Sequence, residues 1–126
     1  MEGLKVLLVD DEEEFVSTLA ERLRMRGIET GTAGDGEQAL KSISEDPPQL
    51  VVLDVMMPGL SGLEVLRRVR SEHPHIPVIL LTGIGGTREG IEGMRLGAFD
   101  YLMKPLAIED LISRMRAALA ASRGGA

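Results

Sequence analysis

Several side chains suited to acid, metal or phosphoryl chemistry stand where apolar runs of this sequence end. They are Asp10, Asp11, Asp54, Thr82 and Lys104. Carboxylates that lie close together repel one another, which raises their pKa values or recruits a cation. A carboxylate can also attack phosphorus as a nucleophile and form an acyl phosphate. Taken alone, Asp54 is equally well explained as a strand-ending residue that begins a turn, so its neighbours must decide.

The elements that position these residues alternate regularly along the chain. Five short apolar runs, typical of buried strands, are each followed by a segment with apolar residues at helical spacing. This alternation predicts an α/β fold in which helices cover both faces of a parallel sheet. The middle runs are the most apolar, and the second run, Ile28–Ala33, is the most polar. We therefore expect a doubly wound sheet of order 2-1-3-4-5, the flavodoxin-like (βα)5 arrangement.

This strand order brings the acidic residues together. The order reverses between the first and third strands, and ligands bind at such a switch point, outside the carboxyl ends of the strands. The first strand ends in Asp10 and Asp11 and the third in Asp54, so the three carboxylates converge. The sequence has no cysteine, and His73 and His75 fall at the opposite edge of the sheet. An all-oxygen site favours Mg²⁺ or Mn²⁺.

Thr82 and Lys104 add a hydroxyl and an ammonium group at the ends of neighbouring strands. A metal ion, a lysine and a hydroxyl around a carboxylate form a site for a phosphoryl group. The sequence therefore predicts that Asp54 is the nucleophile of a metal-dependent phosphoryl site. Each residue alone is a weak indication, and the prediction depends on their common position at one edge of the sheet.

The composition restricts the other functions. The 126 residues are enough for one domain, spanning 1–126, with a core of its own. A net charge of −6 disfavours direct contact with nucleic acid, and the scarcity of aromatic residues disfavours base stacking. No apolar stretch approaches the roughly 20 residues that span a bilayer, and the amino terminus lacks the pattern of a secretory signal. We expect a cytoplasmic domain that binds neither membranes nor nucleic acid.

Four motifs resemble the receiver domains of two-component response regulators. They are Val-Asp-Asp-Glu (9–12), Leu-Asp-Val-Met-Met-Pro-Gly-Leu-Ser-Gly (53–62), Leu-Thr-Gly (81–83) and Asp-Tyr-Leu-Met-Lys-Pro (100–105). The resemblance covers about residues 5–121. It implies a signalling domain that takes a phosphoryl group from a sensor histidine kinase or a phosphotransfer protein. Such a domain is not an enzyme in the usual sense, because it catalyses only its own phosphorylation and dephosphorylation.

The resemblance also implies a ligand set for the metal. Asp54 would be the phosphoacceptor and a ligand of Mg²⁺. Asp11 would bind Mg²⁺ directly, Asp10 largely through water, and Met56 through its backbone carbonyl.

A second group of residues would respond to the phosphoryl group. Lys104, joined to Pro105 by a cis peptide bond, would pair with a phosphoryl oxygen, and Thr82 would hydrogen-bond to the group. Tyr101 would turn inward behind Thr82 as an aromatic switch. The surface of the fourth helix, fifth strand and fifth helix would then change its preference for an output domain or effector protein, or form a phosphorylation-dependent dimer.

The segment 83–97 departs from the usual family pattern, since it holds six of the fifteen glycines in the chain. We predict a helix there, capped by Thr87, with Ile91 and Met94 facing inward. Two glycines in its interior would each cost about 1 kcal/mol relative to alanine. This helix should be the weakest of the five, and we expect it to be mobile or partly unwound before phosphorylation. Met56 and Ile84 are apolar at positions that flank the path of the attacking water in the family, so they should affect the lifetime of the acyl phosphate.

Two other functions fit parts of the pattern. A phosphohydrolase with an aspartyl nucleophile would carry Asp-x-Asp after the first strand, whereas this chain has Asp10-Asp11-Glu12 there and Asp54 far away in the sequence. A flavin-binding electron carrier of the same fold would need small hydroxyl and glycine residues in that loop to bind phosphate. The five acidic residues at 10–14 would repel it. The receiver domain, alone or as part of a longer regulator, remains the leading prediction.

Overall fold

The computed structural model describes residues 3–83 and 86–124 of the chain. Within these residues, strands and helices alternate from β1 to α5. In chain order the elements are β1 (Lys5–Val9), α1 (Glu13–Arg24), β2 (Glu29–Ala33), α2 (Gly36–Glu45), β3 (Leu50–Asp54), α3 (Gly62–Glu72), β4 (Val78–Thr82), α4 (Thr87–Arg95), β5 (Asp100–Met103) and α5 (Ile108–Gly124). None of these described helices is both long and apolar enough to cross a membrane.

The strands form one parallel sheet in the order β2-β1-β3-β4-β5, which confirms the predicted topology. The composition of each strand matches its place. Every residue of β3 and β4 is buried, as expected of strands that are covered on both faces. Strand β2 lies at the edge and exposes three of its five residues to solvent.

Two apolar layers hold the helices against the sheet. Alternate residues of β1 point to opposite faces, so Val6 and Leu8 pack against α1 and α5, whereas Leu7 and Val9 pack on the face that carries α2 and α3. The aliphatic side chains of the helices complete each layer. Aromatic residues contribute only at the margins, where Phe15, Phe99 and Tyr101 are partly buried.

The start of α4 differs from the prediction. Gly86, rather than Thr87, is the N-cap residue, and no side chain caps the helix. Thr87 is the first residue of the helix itself, where its hydroxyl cannot take the capping position. The predicted role of Ile84 concerns one of the two residues, 84 and 85, that lie outside the described residues.

The orientation of α4 also corrects the sequence prediction. Ile91 and Met94, expected to face inward, are 48% and 41% exposed. The buried positions of the helix are instead Gly90 and Gly93. The periodicity of the apolar side chains was therefore misleading, because the inward stripe of this helix consists of residues without side chains.

Close approach of the helix to the sheet explains this stripe. A Cβ atom on Gly90 would lie 2.8 Å from Cδ2 of Tyr101, and one on Gly93 would overlap Cδ1 of Leu80. Leu80 is fully buried and Tyr101 is partly buried, so the larger side chains of the sheet fill the space that α4 leaves. The two glycines lower the helical propensity of α4, but they allow the helix to pack closely against β4 and β5.

We expect the amides of residues 87–96 to exchange hydrogen faster than those of α1 in the unphosphorylated protein. Helix α4 has two interior glycines and α1 has none, whereas neither helix has a side-chain cap, so the glycines lower the cost of local opening in α4. Hydrogen exchange followed by mass spectrometry or NMR measures this difference. Helix α3, which like α1 has no glycine in its interior, should match α1, and equal protection in α4 and α1 would contradict the expectation.

Candidate functional site

The register of the strands places four of the predicted residues at one edge of the sheet. The carboxyl ends of β1 and β3 lie side by side, and so do those of β4 and β5. Asp10 therefore emerges beside Asp54, and Lys104 emerges beside Thr82. This edge contains the point at which the strand order reverses, as the sequence predicted.

The turn between β3 and α3 fixes the strand end that carries Asp54. Ser61 caps α3, its hydroxyl accepting a hydrogen bond of 3.2 Å from the amide of Glu64. Helix α3 starts so close to the strand that a Cβ atom on Gly62 would overlap the backbone carbonyl oxygen of Asp54. Only glycine allows this contact, which anchors the backbone of the central carboxylate.

Three carboxylates meet at this edge, and one of them was not predicted. Oxygen atoms of Asp10, Glu12 and Asp54 lie within 4.8 Å of one another. Asp10 and Asp54 are buried, at 2% and 3% exposure, whereas Glu12 is exposed. The turn after β1 brings Glu12 in, because Oδ1 of Asp10 accepts a hydrogen bond of 2.9 Å from the Glu12 amide. Asp11 points to solvent and is outside this group.

Lys104 places its ammonium group among these carboxylates. Its Nζ lies 2.7 Å from Oδ2 of Asp10, 2.6 Å from Oε1 of Glu12 and 3.7 Å from Oδ2 of Asp54. The ammonium also lies 4.6 Å from the centre of the Phe15 ring, within the range of a cation–π contact. The peptide bond from Lys104 to the following proline is cis, as the resemblance implied.

Burial and like charge perturb the acid at the centre of the site. Loss of solvation, followed by repulsion from Asp10, raises the pKa of Asp54 from 3.8 to about 7. The charge of Lys104 and the amide of Met56, which donates a 3.2 Å hydrogen bond to Oδ1, oppose this rise but do not overcome it. Burial also disfavours the charge of Lys104, but its contacts with the carboxylates of Asp10 and Glu12 raise the pKa of this lysine above its ordinary value.

The donor set fits a hard divalent cation. Among the described residues, the buried Oδ2 of Asp10 has no hydrogen-bond donor, since its contact with Lys104 is an ion pair without hydrogen-bond alignment. Carboxylate oxygens with free lone pairs are the ligands that Mg²⁺ prefers. Asp10 and Asp54 lie together as a metal site requires, and Met56 adjoins them. The ligand roles of Asp10, Asp11, Asp54 and Met56 stay predictions.

The predicted switch residues occupy the neighbouring strands. Thr82 is fully buried, and its hydroxyl donates to the backbone carbonyl of Leu102 at 3.5 Å, the long limit of a hydrogen bond. Tyr101 is partly buried, with its ring against the backbone of Gly90. The two histidines lie away from the site, in the segment before the amino end of β4, with ring centres 6.3 Å apart.

Sequence reasoning overlooked Glu12, although a signal was present. An Asp whose carboxylate accepts from the amide two residues later forms a local turn that redirects the chain. Asp10 and Glu12 have this spacing. The neighbouring acids hide this signal, because Glu13 and Glu14 suit the positive end of the helix dipole in the first turn of α1.

Comparison with known families gives one consistent result. The sequence profile described as "Response regulator receiver domain" matches residues 6–116. The probable transcriptional regulatory protein TcrX of Mycobacterium tuberculosis is 44% identical over 114 residues, which are 90% of this chain and 49% of that protein. The chain thus spans about half the length of the curated relatives it matches.

Solved structures agree with the sequence comparison. A response regulator receiver domain protein from Clostridium thermocellum superposes with a TM-score of 0.90 at 34% identity, covering 95% of this chain and 97% of that one. The receiver domain of NtrX from Brucella abortus gives 0.87 at 36% identity, covering 91% and 98%.

Replacing Asp54 with asparagine should stabilise the metal-free protein at high pH. The folded-state pKa of about 7 lies above the ordinary value of 3.8, so the folded wild type binds the proton more tightly than the unfolded chain. Its stability therefore falls as the pH rises from about 4 to 7, and the variant lacks this loss. In a metal chelator at pH 8, we expect the free energy of unfolding of Asp54→Asn to exceed that of the wild type by on the order of 2 kcal/mol, which is half of the energy that three pKa units correspond to. At pH 4 the two proteins should differ little.

Urea unfolding at several pH values measures this gain. Asp11→Asn is the matched control, because Asp11 lies in the adjacent loop but is exposed and outside the carboxylate group. It should change stability by less than about 0.5 kcal/mol. A gain for Asp54→Asn that is the same at pH 4 and pH 8 would contradict the electrostatic explanation.

Proposed function

Since the chain belongs to the response regulator receiver domain family, a signalling family of two-component systems, we propose that Asp54 is its phosphoacceptor. The observation that carries this proposal is the placement of Asp54. It is a buried carboxylate at the carboxyl edge of the sheet, with Asp10 beside it and the ammonium of Lys104 3.7 Å away. The family resemblance and the charges around Asp54 thus both indicate this residue as the phosphoacceptor. They favour a receiver domain over an aspartyl phosphohydrolase.

The proposed donor is a phosphohistidine on a sensor histidine kinase or phosphotransfer protein. A carboxylate oxygen of Asp54 attacks the phosphorus, so a P–O bond forms while the P–N bond breaks. The electron pair of the broken bond stays on the imidazole nitrogen, which takes up a proton from solvent. The product is an acyl phosphate, and its later hydrolysis returns Asp54 and inorganic phosphate.

The residues around Asp54 would each meet one requirement of this transfer. Lys104 offsets the negative charge of the phosphoryl oxygens, and the Thr82 hydroxyl turns from Leu102 towards them. Mg²⁺, when bound by Asp10 and Asp54 with Asp11 and the Met56 carbonyl as further ligands, would neutralise the crowded oxygens and keep Asp54 ionised.

Asp54→Asn should lose phosphorylation entirely. Incubation with acetyl phosphate and Mg²⁺ should add one phosphoryl group to the wild type, detected by intact-protein mass spectrometry, and none to the variant. Asp110→Asn is the control, because Asp110 is an exposed aspartate in the first turn of α5, and it should be phosphorylated at the wild-type rate. Labelling that persists in Asp54→Asn would refute the assignment.

The proposed response surface is formed by α4, β5 and α5. Ile91, Met94 and Met103 of this surface are 48%, 41% and 47% exposed, and large apolar side chains exposed together mark an interaction site. When the phosphoryl group draws the Thr82 hydroxyl away from Leu102, Tyr101 turns inward behind it. The contact between the Tyr101 ring and Gly90 then changes. We propose that this changes the affinity of the surface for a second copy of the domain, or for an output domain or effector protein.

Met94→Glu should weaken a phosphorylation-dependent dimer by about tenfold or more, because an unpaired charge would be buried at the interface. Analytical ultracentrifugation with and without acetyl phosphate and Mg²⁺ measures the dissociation constant. Met25→Glu is the matched control, since Met25 is 79% exposed at the end of α1. A phosphorylated wild type that stays monomeric would exclude the dimer, and equal effects of the two variants would exclude this surface.

A further inference from the structure

The ammonium group of Lys104 is engaged by a residue outside the proposed catalytic set. Nζ lies 2.6 Å from Oε1 of Glu12, closer than the 3.7 Å that separates it from Oδ2 of Asp54. The Glu12 contact has the geometry of a hydrogen bond, whereas the contact with Asp54 does not. In this state Lys104 therefore faces Glu12 more than the phosphoacceptor.

Glu12 and Asp10 hold the lysine in different ways. The Asp10 side chain is 1% exposed and cannot leave without losing its place in the core. The Glu12 side chain is 61% exposed, and only its backbone is fixed, by the 2.9 Å bond to Oδ1 of Asp10. The Phe15 ring also contacts the lysine, with its centre 4.6 Å from Nζ. Glu12 is thus the partner that can release Lys104 at little cost.

We propose that Glu12 is a positioning residue that holds Lys104 away from Asp54 in the unphosphorylated domain and releases it when the phosphoryl group arrives. The inference rests on the proposed function, because the phosphoryl oxygens of phospho-Asp54 are what Lys104 would turn to. Glu12 then acts through Lys104 and does not itself touch the phosphoryl group. The contact between Glu12 and Lys104 stabilises the unphosphorylated domain, and it must break before Lys104 can pair with the phosphoryl group.

The strength of the competition follows from exposure. Ion pairs with a solvent-exposed partner are weak, so Glu12 should restrain Lys104 without blocking it. Its charge also lies within 4.8 Å of the Asp54 carboxylate and repels an incoming phosphoryl donor. Both effects predict that loss of the contact accelerates phosphorylation by about two- to fivefold, with a smaller factor at high salt.

The contact can be measured without metal or phosphodonor. Acetic anhydride at limiting concentration acylates free lysines, and peptide mass spectrometry gives the ratio of modified Lys104 to modified Lys41, an exposed internal reference. We expect Glu12→Gln to raise this ratio severalfold. Glu13→Gln makes the same change of charge one residue further on, at an exposed position, and should leave the ratio unchanged. An unchanged ratio in Glu12→Gln would overturn the proposal.

Phosphorylation kinetics with acetyl phosphate and Mg²⁺ then test the consequence. Glu12→Gln should react two- to fivefold faster than the wild type, and Glu13→Gln at the wild-type rate. Glu12→Asp keeps the charge but is too short to reach Lys104, so it should also react faster. A slower Glu12→Gln would overturn the proposal, and so would a fast Glu12→Gln with an unchanged Glu12→Asp, because the charge alone would then explain the effect.

The two experiments separate this inference from the proposed function. If the wild type accepts no phosphoryl group, the proposed function fails, while the lysine reactivity still reports on the Glu12–Lys104 contact. If the wild type is phosphorylated on Asp54 but Lys104 reactivity is indifferent to Glu12, the inference fails alone. Urea midpoints of the Glu12 and Glu13 variants should agree, which would exclude unfolding as the cause of any difference.

Discussion

Asp10 and Asp54 are held side by side in a buried place, and the ammonium of Lys104 lies between them and Glu12. Parallel pairing of β1 with β3 fixes the two acids as neighbours, so they cannot separate to relieve their repulsion. The fold therefore stores an electrostatic imbalance, with more negative than positive charge. A divalent cation would relieve this imbalance, and a phosphoryl group on Asp54 would add to it. The contact with Glu12 would determine how readily Lys104 moves when either charge is added.

Much of this arrangement could be predicted from the sequence. Alternating strands and helices imply a parallel sheet, and the polar run Ile28–Ala33 identifies an edge strand. Once the strand order is known, Asp10, Asp54, Thr82 and Lys104 must lie at the same edge, because parallel strands end together. The caps at Asp35 and Ser61 were also predictable, since both residues precede a helix and their side chains accept from the third following amide.

Two features were not predicted, for physical reasons. Which acid after β1 turns towards the site depends on one local hydrogen bond, and that bond selects Glu12 rather than Asp11. The inward face of α4 was mistaken because apolar periodicity counts side chains, whereas here the helix approaches the sheet through Gly90 and Gly93. The depth of such an approach is set by the partner strands, and the sequence of the helix does not contain it.

The contact between Tyr101 and α4 has an optical consequence. The chain has one tyrosine and no tryptophan, so its intrinsic fluorescence above the weak signal of phenylalanine comes from that ring alone. The ring rests on the backbone of Gly90, with no side chain between them. Any displacement of α4 against β5 therefore changes the polarity around the only bright chromophore. The domain carries its own label at the contact that is expected to move.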